Sequence, residues 1–450
     1  MLSEMLSDFA GWLRQRRAAR NHPDGDSMVN FLIQKVTFYH LNHRRNWNVC
    51  GKLFIAVSLV GILALAACGG GSTRDTPEAS ASTGSQLPGE PIKMMVITAL
   101  SGPSEAFTDI PPAVNAATTA INKAGGVKGR PLQVTVCDDQ FDPNKAADCA
   151  NQAVAGKYLF VTGTSANGDR YMPILEKGKI PVVGQIPNSA SELKSPYSYP
   201  FISGVIEVAG GGTACGKLGK KTPAAAIVDL AAGRNSASLI GLGLKPYNLP
   251  PPRNVFIPPT ATDYTTYAAN LSGTDCVDVV LGGAGFERLT QTLRQSGNNE
   301  TVAYGSSQVS QKGIDRLGAA ATGVVLVAQN PAVTDTNVPA VKKFHDEAVA
   351  NGTSANELTD EGLIMWGTTH LVAELAAKIT TVDGESLAQA LNTAGDIDYS
   401  PLPKVNFAKP VQVISPDNRI FTTDVRFSEL RDGRRVPLFD GQSINVFNPS

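Results

Sequence analysis

Met94 to Cys149 reads MMVITALSGPSEAFTDIPPAVNAATTAINKAGGVKGRPLQVTVCDDQFDPNKAADC, and this stretch decides the fold. An apolar run, Met94–Leu100, meets a Ser-Gly-Pro turn. A helical pattern follows. It carries Ala113, Ala116, Ala117, Ala120 and Ile121 on one face and stops at Gly125-Gly126. A second apolar run, Leu132–Cys137, ends in Asp138-Asp139, and Asp142-Pro143 opens another helix. Strand, loop, helix, strand, loop, helix is the start of a parallel α/β sheet. Such sheets place their ligands at the carboxyl edge, in the loops that follow the strands.

The pattern continues outward. Strands are expected at Tyr158–Thr162 and Pro181–Val183, each followed by a small polar loop, Gly163–Asn167 and Gly184–Ser189. Four such units make one lobe. Ser195–Ser203, rich in Pro and Tyr, reads as a crossover, after which the pattern restarts. Strands are expected at Ala224–Val228, Val255–Ile257, Val277–Leu281, Val302–Tyr304 and Gly323–Val327. Helices return at Val338–Ala350 and Asp360–Lys378, and the tail Val411–Phe427 suggests a hairpin around Pro416-Asp417-Asn418. The expected fold class is α/β, with two doubly wound parallel-sheet lobes and a ligand cleft between them. Lobe 1 is drawn as 92–200 plus 330–400, and lobe 2 as 201–329 plus 401–450.

At 450 residues and a formal net charge of −1, the chain can bury full cores, and it shows no basic run that would suggest nucleic acid. Leu53–Ala67 is the only long uncharged apolar segment, preceded by Arg44, Arg45 and Lys52. It is too short for a spanning helix, which needs about 20 residues, and fits a signal h-region. Leu65-Ala66-Ala67-Cys68 looks like a bacterial lipobox, which implies that Cys68 carries a lipid and begins the mature chain. Residues 1–67 therefore read as a signal peptide, with a mis-assigned start explaining its length. Residues 68–91 are Gly, Ser, Thr, Ala and Pro with little else, a tether whose flexible part reaches roughly 25 Å. Without residues 1–67, 31 basic residues face 36 acidic ones, and His345 and His370 are the remaining histidines.

Three segments carry a resemblance: Ser101-Gly102-Pro103, Ile121-Asn122-Lys123-Ala124-Gly125-Gly126-Val127-Lys128-Gly129-Arg130, and Asp138-Asp139-Gln140-Phe141-Asp142-Pro143-Asn144-Lys145-Ala146. Together they resemble the leucine/isoleucine/valine-binding family, extracytoplasmic substrate-binding proteins of ABC importers on the type 1 periplasmic binding fold. The resemblance extends through Gly282-Gly283 and Trp366 and covers about residues 92–439. It implies two α/β lobes joined by three crossovers, near Tyr199–Ser203, Ala328–Pro331 and Pro401–Ile414, that close on a ligand.

The resemblance also implies site residues. In members that bind amino acids, the first lobe grips the carboxylate. The matching positions are Thr164, Ser165 and Ala166 after the third strand, and Ile186, Pro187 and Asn188 after the fourth. Small residues at a helix start offer free N–H groups to an anion. The plainer alternative is that Ser165 and Asn188 cap helices. Ser101 and Phe107 match positions in the loop after the first strand, where they could form a cleft wall. The second lobe departs from the pattern. Ala231-Ala232-Gly233 stands where a tyrosine is expected, and Ala284-Gly285-Phe286 where aromatics are. Ser306-Ser307-Gln308 stands where a carboxylate would meet a ligand ammonium. Ala232, Gly285 and Ser307 are carried as ligand-facing positions. An unpaired ammonium in a closed cleft costs several kcal/mol. A neutral or anionic ligand is therefore expected, with Asp229 or Glu287 as the alternative source of charge.

Outside the cytoplasm, Cys137, Cys149, Cys215 and Cys276 suggest two disulfides, and the pairs 137–149 and 215–276 each stay within one lobe. No C-x-x-C occurs and the two histidines lie far apart, so no metal site is expected. Asp138 and Asp139 are adjacent on a strand and point to opposite faces, so they read as loop caps rather than a catalytic pair. No catalytic residue and no cofactor is expected. The expected protein is a monomeric, lipid-anchored capture protein on the extracytoplasmic face of the membrane. Its partners are a small amino-acid-like, amide or carboxylate ligand and an ABC permease pair with its ATPase. The alternative is a ligand-sensing receptor domain on the same fold.

Overall fold

The computed structural model describes residues 87–102, 106–412 and 418–449, with the backbone alone for residues 231 and 232. The expected leader, Cys68 and most of the expected tether lie outside the described residues. Among the described residues, no helix is long and apolar enough to cross a membrane.

The opening stretch builds the first sheet. Strands β1 (Ile92–Thr98), β2 (Leu132–Asp138), β3 (Phe160–Thr162), β4 (Val182–Val183) and β5 (Ser198–Tyr199) lie in the order β2-β1-β3-β4-β5. All are parallel, with β1 matched to β2 from Ile92–Leu132 to Thr98–Asp138. Both faces of β1 are covered, as parallel sheets require. Met94 and Val96 pack with Ala113, Val114 and Ala117 of the Ile110–Lys123 helix. Met95 and Ile97 pack on the other side with Ala150 and Ala153 of the Pro143–Ala155 helix and Met172 of the Gly168–Lys177 helix.

The sequence signals act locally as expected. Asp142 caps its helix by accepting from Asn144 N at 2.7 Å, and Pro143 occupies the first helical position. The Ile110–Lys123 helix ends where Gly126 turns at φ +70°, and a Cβ there would lie 2.2 Å from the Arg130 carbonyl. Only glycine fits that turn.

The second sheet runs β12-β11-β10-β9-β8-β6-β7, with β13 paired to β11. Its parallel strands are β6 (Pro223–Val228), β7 (Arg253–Ile257), β8 (Cys276–Val280), β9 (Thr301–Gly305) and β10 (Val324–Ala328). The antiparallel part is β11 (Asp424–Arg431), β12 (Arg434–Pro437) and β13 (Ile444–Asn445). Strands β11 and β12 form a hairpin. It turns at Asp432-Gly433, both at positive φ (49° and 70°), the Asp-Gly turn whose twist matches antiparallel strands. Residues 413–417, where the turn was expected, lie outside the described residues.

The chain passes between the sheets three times. It leaves β5 for the Gly204–Lys217 helix, which packs under the second sheet through Ile206, Ala209 and Ala214. After β10 it returns to the Pro339–Ala350 and Asp360–Lys378 helices, whose Val341, Phe344, Leu363 and Trp366 join the first core. Leu402, Val405, Phe407 and Phe421 also pack there before the chain enters β11. Buried Gln329 ties the three passages: it accepts from Ser203 N at 2.6 Å, and its amide reaches the Thr422 carbonyl at 3.5 Å. Arg419 adds a second tie, donating to the Ser198 carbonyl at 2.9 Å between the rings of Tyr199 and Phe421.

Both expected disulfides are present. Cys137–Cys149 joins β2 to the next helix, and Cys215–Cys276 joins the Gly204–Lys217 helix to β8, with Cα separations of 5.9 and 5.8 Å.

Candidate ligand-binding cleft

The loops that follow β1, β3 and β4 hold the first-lobe candidates. Asp138 organises the loop after β1: it accepts from Leu100 N at 2.8 Å, Gln140 N at 3.0 Å and Ser101 Oγ at 2.7 Å. Burial works against its charge, but the Ser101 hydroxyl and these backbone N–H groups outweigh it and hold the carboxyl below its ordinary range. Asp139 turns the other way and is fully buried. It accepts from the Ser165 hydroxyl, from Asn167 Nδ2 at 3.2 Å and from Phe141 N at 3.1 Å. The two aspartates thus close loops.

Ser101 is exposed at this loop. Phe107 is half-buried against the first core, with its ring 6.2 Å from that of Phe141. Ser165 is buried, with its hydroxyl committed to Asp139 and to Asn167 N. Ala166 is exposed beside it. Ile186 is buried and Asn188 exposed. Asn188 does not cap the next helix. Ser189 does so, in a capping box with Glu192, while Asn188 N donates to Glu192 Oε2 at 3.0 Å. Both Ile186 and Asn188 come within about 3.6 Å of where a Cβ on Gly204 would stand, at the start of the second lobe's first helix.

In the second lobe, Ala232 lies in the Ala231–Arg234 helix directly after β6, behind exposed Leu230. Gly285 lies in the first turn of the Gly283–Gln295 helix after β8, 3.1 Å (as a built Cβ) from the Tyr264 hydroxyl. The neighbouring Phe286 is core, stacked on Tyr304 at 4.0 Å. Asp229 and Glu287, the alternative charges, are taken by arginines of their own lobe, Arg234 and Arg316. The open groove lined by Met172, Glu176 and Lys194 contains none of these residues.

Acids that the sequence reading passed over meet between the lobes. Thr164 donates its hydroxyl to Glu361 Oε1. Glu361 N donates to the Ser307 carbonyl at 2.9 Å, and Ser307 Oγ donates to Glu207 Oε2 at 2.8 Å. Two expected residues from opposite lobes, Thr164 and Ser307, are thus joined through Glu361. Next to it, Asp360 accepts from Arg435 Nη1 at 2.7 Å, from Val333 N at 2.7 Å and from the Ser306 hydroxyl. Asp109 takes the hydroxyl of Thr359.

Burial raises Glu207 to about 8, opposed by the Ser307 hydrogen bond and reinforced by the charge of Asp360. Burial also pushes Glu361 well above the carboxylate range, helped by the charges of Asp109 and Glu207 and opposed by Thr164. Asp109 is raised chiefly by burial, against the bond from Thr359. The available signals were a lone Glu207 in an otherwise apolar helix and Asp360-Glu361 after Thr359. Acids in a first helical turn are ordinary partners of the helix dipole, so nothing local set these apart. Among the described residues, no three His, Cys, Asp or Glu side chains group as a metal site.

The family model described as periplasmic binding protein matches residues 91–435. The chain belongs to the periplasmic binding protein family. This is a family of binding proteins rather than enzymes. A Leu/Ile/Val-binding protein homologue of Brucella melitensis is 37% identical over 78 residues, which is 17% of this chain. The match spans about a fifth of that relative's length, 21%. Two solved structures share the fold. One is the branched-chain amino acid transporter substrate-binding protein of Streptococcus pneumoniae in complex with isoleucine. It has 16% identity and TM-score 0.64, over 77% of this chain and 98% of that one. The other is a solute-binding protein of R. palustris in complex with 4-hydroxybenzoate. It has 18% identity and TM-score 0.65, over 79% and 96% of the two chains.

Proposed function

We propose that this periplasmic binding protein is the solute receptor of an ABC importer, lipid-anchored through Cys68 outside the cytoplasmic membrane. It captures a small polar or carboxylate-bearing ligand between its lobes and delivers it to a permease pair. The observation that carries this reading is the join across the lobes. Residues from the carboxyl edge of each sheet, Thr164 and Ser307, meet through Glu361, while the connecting chain is confined to three passages tied by Gln329. That arrangement suits hinged closure. Isoleucine and 4-hydroxybenzoate, held by the two solved relatives, both carry a carboxylate. A ligand of micromolar affinity releases about 8 kcal/mol, from which closure must be driven.

A thermal-shift screen of the purified full chain against amino acids, carboxylates, amides and aromatic acids tests capture. Stabilisation by one class, lost on dilution, supports it; no shift from any class counts against it. The anchor is tested by partition into Triton X-114 when the protein is made in a bacterium that processes lipoproteins. The wild type is expected in the detergent phase and Cys68→Ser in the aqueous phase.

A further inference from the structure

We propose, resting on the lobe movement that the capture reading requires, that the junction of the lobes is a proton-operated latch. Glu207 and Glu361 hold protons while the lobes are joined, and release of those protons parts them.

The two acids stand on opposite sides of the junction. Glu207 lies in the first turn of the Gly204–Lys217 helix under the second sheet, and Glu361 in the first turn of the Asp360–Lys378 helix, which packs on the first core. They are 6% and 1% exposed. Each has one carboxyl oxygen bonded by a hydroxyl, Glu207 Oε2 by Ser307 and Glu361 Oε1 by Thr164. The other oxygens, Glu207 Oε1 and Glu361 Oε2, are buried and meet no donor among the described residues. A carboxylate so placed is a poorly solvated charge, whereas a carboxylic acid buries an O–H at far lower cost. The join itself is the bond from Glu361 N to the Ser307 carbonyl, 2.9 Å long. An N–H in the first turn has no partner within its own helix, so this bond exists only while the lobes meet.

The charge around the pair is one-sided. Asp109 and Glu207 act on Glu361, and Asp360 acts on Glu207. Arg435 is the base close by, and it is spent on Asp360 and on the Val309 carbonyl. Asp360 also accepts from Val333 N, in the second passage between the lobes. The Asp360–Arg435 pair therefore stays with the connecting chain as a pivot, while Glu207 and Glu361 lie toward the strand-end loops of Ser307 and Thr164. Two carboxylates there repel across the junction. Burial raises Glu207 to about 8 in the joined state, whereas a wetted glutamate titrates at about 4.3. The joined state thus binds more protons between these values. Joining is strongest below about pH 4.3, weakens as pH rises and is lost through about pH 8. Each proton held only by the joined state changes the joined-to-parted ratio about tenfold per pH unit inside that window. The protons pass to solvent, and no other covalent bond changes.

Pulse-labelling hydrogen exchange of the full chain, with no solute added, tests this at about pH 5 and about pH 9. The reporter is the Glu361 amide, corrected for base-catalysed intrinsic exchange. Its protection should fall about tenfold or more at the higher pH, while the Met94–Ile97 backbone keeps its protection. Small-angle scattering of the same samples should show a larger radius of gyration at the higher pH, reversed on acidification. The double variant Glu207→Gln/Glu361→Gln is neutral at both places at every pH. It should hold the Glu361-position amide protected at both pH values and keep the smaller radius. Equal protection and equal radius in the wild type at the two pH values overturn the latch. So does a double variant that loses protection as the wild type does, since the charge would then lie elsewhere. Should the double variant fail to fold, the wild-type comparison alone decides. None of these arms involves a solute, so their failure leaves capture standing, and capture fails separately in the thermal-shift screen.

Discussion

Arg435→Met should unlock the join between the two sheets, and its cost can be worked from the structure. Arg435 belongs to β12 of the second sheet, and Asp360 starts a helix packed on the first. Their side chains are 2% and 1% exposed, and Nη1 lies 2.7 Å from Oδ2. Removing one partner of such a pair strands the other charge in low dielectric, at about 3–5 kcal/mol. Methionine keeps most of the volume, so little of the loss is packing. The Val309 carbonyl also loses its 2.5 Å donor, Nη2. A folded unit of about 350 residues unfolds with roughly 0.7 kcal/mol/K of entropy, so the expected fall in Tm is about 4–7 °C. The assay is urea denaturation followed by tryptophan fluorescence, with a matching thermal scan.

The decisive arm is the double variant Asp360→Asn/Arg435→Met. If the cost is a stranded carboxylate, neutralising Asp360 returns about half of the lost stability, because an uncharged amide can keep accepting from Val333 N with its oxygen while its Nδ2 donates to the Ser306 hydroxyl. A double variant no more stable than Arg435→Met refutes the reasoning. The loss would then come from packing or from the β12 backbone, and the ion pair would not be what joins the sheets.

Two further predictions concern the covalent ties and pH. The Cys215–Cys276 bridge closes 61 residues and the Cys137–Cys149 bridge 12. On loop entropy alone they contribute about 4 and 3 kcal/mol, so Cys215→Ser/Cys276→Ser should lower the urea midpoint more than the other pair does; equal losses would contradict the entropic account. Glu347 accepts from Trp366 Nε1 at 2.6 Å and His370 Nε2 at 2.8 Å. Burial opposes its charge, but these bonds and the positive charges of His370 and Lys343 hold it below the usual carboxylate range. A depressed folded pKa means that its stability is present above about pH 4.3 and is lost as pH falls through the lower folded value. Glu347→Gln should therefore flatten the acid limb of a stability–pH profile measured by denaturant titration, whereas an unchanged limb would remove Glu347 from that account.

Much of the fold was legible because parallel α/β units are written in local periodicity. Met94–Ile97 is apolar at every position, which fits a strand covered on both faces, and the structure buries all four. The capping Asp142, the stop at Gly125-Gly126 and both disulfides also follow from nearby chemistry. The β11–β12 hairpin was missed although its signal was present: Asp432-Gly433 between two β-rich runs marks such a turn. Its first strand, β11, pairs with β10, about a hundred residues back in the chain, and no local pattern announces such a partner.

The sequence by itself determined the two lobes, their strand-end loops and the family, because backbone hydrogen bonding and apolar periodicity are properties of short segments. The tertiary structure alone decided what those loops face. It turned the Ser165 hydroxyl onto Asp139 and moved helix capping from Asn188 to Ser189. It also brought Thr164, Glu207, Ser307 and Glu361 into one hydrogen-bonded chain, although Glu361 stands 197 positions from Thr164 and Ser307 100 from Glu207. Charge and burial act through space, and an acid in the first turn of a helix reads the same in sequence whether it meets water or another buried acid.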